Sequence, residues 1–223
     1  MIDAPLQAIE IETGPAPAAA VIWLHGLGDD GHGWSEVVPA LRLPASHPVR
    51  FLFPHAPVMP VTINNGMAMR AWYDIRANDL TDRADLEGVR KSQAQVETLI
   101  AREKARGIAA RRIVLAGFSQ GGAIALYAGL RCTERLAGIV ALSTYLIAGA
   151  KLGAEANAAN RDLPVFMAHG TMDPVVQLRW AETSRRALQD AGYPVEWHVY
   201  PMPHSAVPEE IAAIGAFLTR VLA

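Results

Sequence analysis

The segment Gly117-Phe118-Ser119-Gln120-Gly121-Gly122 constrains this chain more than any other. It directly follows an apolar, β-branched run, Arg112-Ile113-Val114-Leu115-Ala116, and directly precedes a helical one, Ala123-Ile124-Ala125-Leu126-Tyr127. A G-x-S-x-G pattern between a strand and a helix demands a sharp turn, with the serine in a strained backbone conformation and its Oγ lifted clear of the sheet. Glycines two positions to either side leave room where strand and helix crowd together. Such a turn belongs at the end of a strand in a covered sheet, which makes the expected fold class α/β.

The rest of the chain agrees. Short apolar runs at 20–24, 49–53, 112–116, 136–142, 165–168 and 195–200 read as strands, the middle ones apolar on both sides as in a covered parallel sheet. Between them lie segments with helical spacing. Leu86, Val89, Val96, Leu99 and Ile100 mark one apolar face, with Asp82 as the expected N-cap and Gly107 as the expected stop. Further helices are expected after Ser119, over 176–191 and over 208–222, the last burying Ile211, Ile214, Leu218 and Val221. Alternating strands and helices imply a mostly parallel, doubly wound sheet with helices on both faces. With 223 residues, 51% of them hydrophobic, the chain suits one domain over 1–223 without a large cap domain.

A serine hydroxyl is a weak nucleophile at neutral pH, so Ser119 needs a histidine to take its proton and a carboxylate to hold that histidine. On a strand–turn–helix serine site the chain order is serine, acid, histidine. His169, His198 and His204 follow Ser119. His198 falls inside a strand and His169 precedes the best acid, which leaves His204, in a loop between the last strand and the last helix. For the acid, Asp173 lies in the loop leaving the strand at 165–168, whereas Asp162 precedes that strand and Asp190 sits late in a helix. The oxygen that becomes negative during acyl transfer needs N–H donors. The backbone of Gln120, after the nucleophile, is one. Leu27, in His25-Gly26-Leu27-Gly28-Asp29-Asp30-Gly31 after the first strand, is the expected second.

Rival readings fit less well. The glycine loop at 26–31 carries neither a G-x-x-x-x-G-K-[ST] pattern nor a G-x-G-x-x-G opening a helix, so it does not read as a phosphate cradle. The histidines show no H-E-x-x-H spacing and the one cysteine, Cys132, cannot build a thiolate site, so neither a metal nor another cofactor is expected. A net charge of −2, without charge runs, recruits neither nucleic acid nor an anionic membrane. No apolar run approaches the roughly 20 residues of a membrane span. No signal-like segment opens the chain, and a cytoplasmic protein is expected.

With these motifs placed, the sequence resembles the phospholipase/carboxylesterase family of α/β-hydrolases, which includes bacterial carboxylesterases and acyl-protein thioesterases. The resemblance rests on His25-Gly26-Leu27-Gly28-Asp29, Trp72-Tyr73-Asp74, the serine segment, Leu142-Ser143-Thr144-Tyr145, His169-Gly170-Thr171 with Asp173-Pro174-Val175-Val176, and Tyr200-Pro201-Met202 with His204-Ser205. It implies a serine hydrolase of acyl esters, thioesters or lysophospholipids, with a Ser119–His204–Asp173 triad and oxyanion donors at Leu27 and Gln120. Pairing into a homodimer is compatible with it. The segment 148–162 carries no motif of the family.

Substrate walls are expected in the long connections at 54–74 and 148–162. The first holds Met59, Val61, Ile63, Met67, Met69 and Trp72, and flexible methionines suit a wall that accepts acyl chains of differing length. Met67, Met69 and Trp72 are the expected substrate contacts, for short to medium acyl groups.

Overall fold

A computed structural model describes residues 6–76 and 85–223. In chain order its elements are β1 (Ala8–Glu12), β2 (Ala19–Leu24), the short α1 (His32–Ser35), β3 (Val49–Pro54), β4 (Val58–Val61), β5 (Met67–Arg70), α2 (Leu86–Ala105), β6 (Ile113–Phe118), α3 (Gln120–Arg131), β7 (Gly138–Leu142), α4 (Leu152–Glu155), β8 (Val165–Gly170), α5 (Leu178–Asp190), β9 (Val195–Tyr200) and α6 (Pro208–Val221). The main sheet has seven strands in the order β1-β3-β2-β6-β7-β8-β9. Only β1 runs antiparallel; every other pairing is parallel.

Period-two alternation divides the core. Ala20, Ile22 and Leu24 of β2, with Ile113 and Leu115 of β6, face the layer of α2 and α3. Val21 and Trp23, with Val114 and Ala116, face the layer of α6 and the turn at Val38–Leu41. Both faces are therefore covered, as the doubly apolar strands required. Because β6, β8 and β9 run parallel, the loops bearing Ser119, Asp173 and His204 leave the same edge of the sheet.

Differences from the expected elements have local causes. β1 went unread because it is short and only half buried, with Ile9 and Ile11 packed on the core and Glu10 and Glu12 outside it. Arg112 belongs to a single 3-10 turn before β6, and Leu136 and Ala137 precede β7. The connection at 54–74 folds as a hairpin of β4 and β5 around a turn at Thr62–Asn64. The connection at 148–162 holds α4 and two 3-10 turns. Asp82, the expected cap of α2, lies outside the described residues; Asp85 directly precedes the helix. At its other end Gly107 takes a φ of +95°, the left-handed conformation that stops a helix and favours glycine.

Candidate active site

Ser119 sits between β6 and α3 with φ +53° and ψ −121°, a conformation costly for a residue with a side chain. Hydrogen bonds hold it there. Its N–H donates to the Leu142 carbonyl at 2.8 Å, and its own carbonyl accepts from the Ala123 N–H at 3.1 Å and the Thr144 hydroxyl at 2.6 Å. The flanking glycines are required by contact: a Cβ on Gly121 would stand 2.3 Å from the Leu24 carbonyl oxygen, and one on Gly117 would stand 2.3 Å from the Gly121 carbonyl carbon.

Gln120 does more than offer an N–H. Its buried side chain accepts from the Trp72 N–H at 2.8 Å and donates to the Tyr73 carbonyl at 2.7 Å. The Trp72 indole in turn donates to the His25 carbonyl at 2.9 Å. His25 Nε2 accepts from the Ala56 N–H at 3.0 Å, so its proton lies on Nδ1, which donates to the Gly26 carbonyl at 2.7 Å. Burial lowers the His25 pKa and keeps the ring neutral. The Gly28 N–H donates to the Arg70 carbonyl at 2.8 Å, completing the fixation of the loop that carries Leu27.

Asp173 and His204 meet directly, with Oδ2 and Nδ1 2.6 Å apart. The Asp173 side chain is fully buried, yet its other oxygen accepts from the N–H groups of Val175 and Val176 at 2.8 and 2.9 Å. Burial pushes its pKa up, but the bonds from His204 and these amides outweigh that and hold the carboxyl below its usual range. The Phe118 ring lies 4.6 Å from the His204 ring, centroid to centroid. His169, set aside as a base in the sequence, is buried; its Nε2 donates to the Val176 carbonyl at 2.7 Å and lies 3.5 Å from Asp173 Oδ2. It supports the acid-bearing loop, and burial lowers its pKa.

Ser119, Gln120 and Leu27 share one groove of about 510 Å³. Its apolar walls are Ile63, Ile75, Tyr145, Val175, Val176 and Trp180, and Arg179 is its one charged side chain among the described residues. Tyr145 is bonded through its hydroxyl to that of Tyr73 at 2.6 Å, and burial pushes its pKa up to about 12.

The expected contacts Met67, Met69 and Trp72 are displaced from this groove. Trp72 is 2% exposed, drawn inward by its bonds to Gln120 and His25, and lines a different recess with Met59. Met67 and Met69 lie on β5 of the hairpin; Met67 is 64% exposed and the sulfur of Met69 meets the Asn64 amide at 3.2 Å. The same hairpin's turn supplies Ile63 and Asn64 instead. Met59 pairs with Met69 and Val61 with Met67, so these four side chains share one face of the hairpin, but it is the turn and not that face that lines the groove.

The sequence matches the family model described as phospholipase/carboxylesterase over residues 6–222. The chain belongs to the phospholipase/carboxylesterase family. Among this family's proteins it is 44% identical to an acyl-protein thioesterase 1 of Gibberella zeae over 213 residues, covering 92% of this chain and 91% of that protein. It is 46% identical to an acyl-protein thioesterase 1 of Neurospora crassa, over 92% of this chain and 87% of that one. The crystal structure of Zea mays acyl-protein thioesterase 2 superposes with a TM-score of 0.84 at 31% identity, covering 97% of this chain and 100% of that one. Membership of the phospholipase/carboxylesterase family makes the protein a hydrolase of the α/β-hydrolase fold. Among its described residues no helix is long and apolar enough to cross a membrane.

Proposed function

We propose that the protein, as one domain over 1–223, hydrolyses carboxylic esters and thioesters through an acyl-enzyme on Ser119. His204 takes the Ser119 proton as Oγ attacks the acyl carbonyl. The N–H groups of Leu27 and Gln120 donate to the oxygen that becomes negative, and His204 returns the proton to the departing alcohol or thiol. Water, activated by the same histidine, then releases the acid. The observation that carries this reading is the 2.6 Å bond between Asp173 and His204 Nδ1. An ionised carboxylate keeps the proton on Nδ1 and so leaves Nε2 as the acceptor the chemistry needs. Thioesters enter on the likeness to acyl-protein thioesterases from two fungi. Short to medium acyl groups fit a groove walled by Ile63, Ile75, Val176 and Trp180. A cytoplasmic site of action accords with a single, buried, unpaired cysteine, Cys132.

A labelled fluorophosphonate tests the assignment. It should attach to Ser119 alone, and Ser119→Ala should abolish labelling and reduce turnover by on the order of a million-fold while leaving the protein folded. Attachment at Ser143 or Ser205 would overturn it.

A further inference from the structure

We propose that Asp30, His32 and His55 bind one divalent transition-metal ion of the zinc type, outside the hydrolytic groove. One donor atom from each of the three side chains lies within 4.8 Å of the others. Tetrahedral zinc at its usual bond lengths keeps its ligands about 3.4 Å apart, so closure needs side-chain movements of little more than about 1 Å. His32, whose side chain is 73% exposed, is free to make it.

The donor atoms are suitably aimed. His55 Nδ1 accepts the Gly31 N–H at 3.1 Å, so it presents a lone pair to this corner, and a metal would replace the amide as its partner. Asp30 Oδ1 accepts the His32 N–H at 2.7 Å and lies 3.1 Å from His32 Nδ1. Binding moves the His32 proton from Nδ1 to Nε2. Gly31 makes the approach possible, because any Cβ there would stand 2.2 Å from the Phe53 carbonyl oxygen. The recess beside these residues contains Asp29, Asp30 and Glu36 against one Arg70, a balance that favours a cation. Two imidazoles and a carboxylate suit zinc, nickel or copper better than magnesium or calcium. Such an ion would tie the Leu27-bearing loop to the segment after β3. Spacing along one helix could not reveal the site, because its ligands come from two separate connections.

Calorimetric titration of zinc chloride into the wild-type protein, with cobalt(II) absorption as a second readout, tests this. One ion per chain should bind saturably and raise Tm. His32→Ala and Asp30→Ala should each weaken binding by at least about tenfold. His198→Ala, removing a ring that pairs with Glu196 elsewhere, should leave it unchanged. Circular dichroism of the variants confirms that they fold. The proposal fails if the wild type shows no saturable binding, or if His32→Ala and Asp30→Ala bind as tightly as the wild type.

Discussion

The side-chain oxygen of Gln120 accepts the backbone N–H of Trp72 at 2.8 Å, while its amide donates to Tyr73 at 2.7 Å. One residue therefore carries two connections: its main chain begins α3 beside Ser119, and its side chain pins the segment whose indole holds the Leu27 loop. Gln120→Ala keeps the backbone N–H but leaves a buried donor and a buried acceptor unmatched. It should destabilise the protein by about 1–3 kcal/mol or more, read as a lower urea midpoint. An unchanged midpoint would show that the 71–73 segment holds its place without this side chain.

Asp173→Asn tests the acid separately from the fold. The amide keeps the shape but favours the wrong imidazole tautomer, which costs roughly ten-thousand-fold in serine proteases. A comparable fall in kcat is expected, with Asp162→Asn and Asp190→Asn close to wild type. The opposite ranking would remove Asp173 from the proposed role.

Glu210, in the first turn of α6, is fully buried, and among the described residues no side chain bonds either carboxylate oxygen; the Val207 backbone N–H alone eases its burial. Burial raises its pKa from 4.5 to about 7. The folded protein therefore binds more protons than the unfolded chain between these values, and stability contributed by this group is lost as pH rises through that window. The loss is on the order of 3 kcal/mol once both states are ionised. Glu210→Gln should be nearly neutral at low pH and stabilising above pH ~7. Equal effects in urea titrations on both sides of the window would show that Glu210 is not the group responsible.

The proposed acyl groove yields a prediction about chain length. Each buried methylene is worth up to about 0.8 kcal/mol, so trimming a wall penalises long acyl groups most. Trp180→Ala and Ile63→Ala should lower kcat/KM for octanoate esters more than for acetate, by about tenfold for Trp180. Met67→Glu, on the exposed hairpin, should alter the two substrates equally. If Met67→Glu alone discriminated between them, the substrate would run over the hairpin's outer face.

The residues of the proposed chemistry were legible in the sequence because each is announced locally: Ser119 by glycines and flanking elements, Asp173 and His204 by loops that follow strands. The groove was not, since which faces of the 54–74 segment meet Ser119 depends on a hairpin register and on the inward pull of Gln120 on Trp72. His169 is set aside in the sequence for its place before Asp173, and its support of Asp173 is a contact across a turn that spacing does not reveal. β1 left a readable trace, the alternation of Ile9 and Ile11 with glutamates, although only pairing with β3 fixes its antiparallel sense.

The loops bearing Asp173 and His204 are stitched together by main-chain bonds, Thr171 N–H to the Tyr200 carbonyl at 2.8 Å and Met172 N–H to the Met202 carbonyl at 3.1 Å. Ser119 hangs instead from β6 and β7, nearer the middle of the sheet. The proposed machinery thus consists of two mechanical pieces, an acid–base cassette and a nucleophile post, joined across the β7–β8 seam. A displacement across this seam would move the cassette as a body: the Asp173–His204 bond would survive while the distance from His204 to Ser119 lengthened.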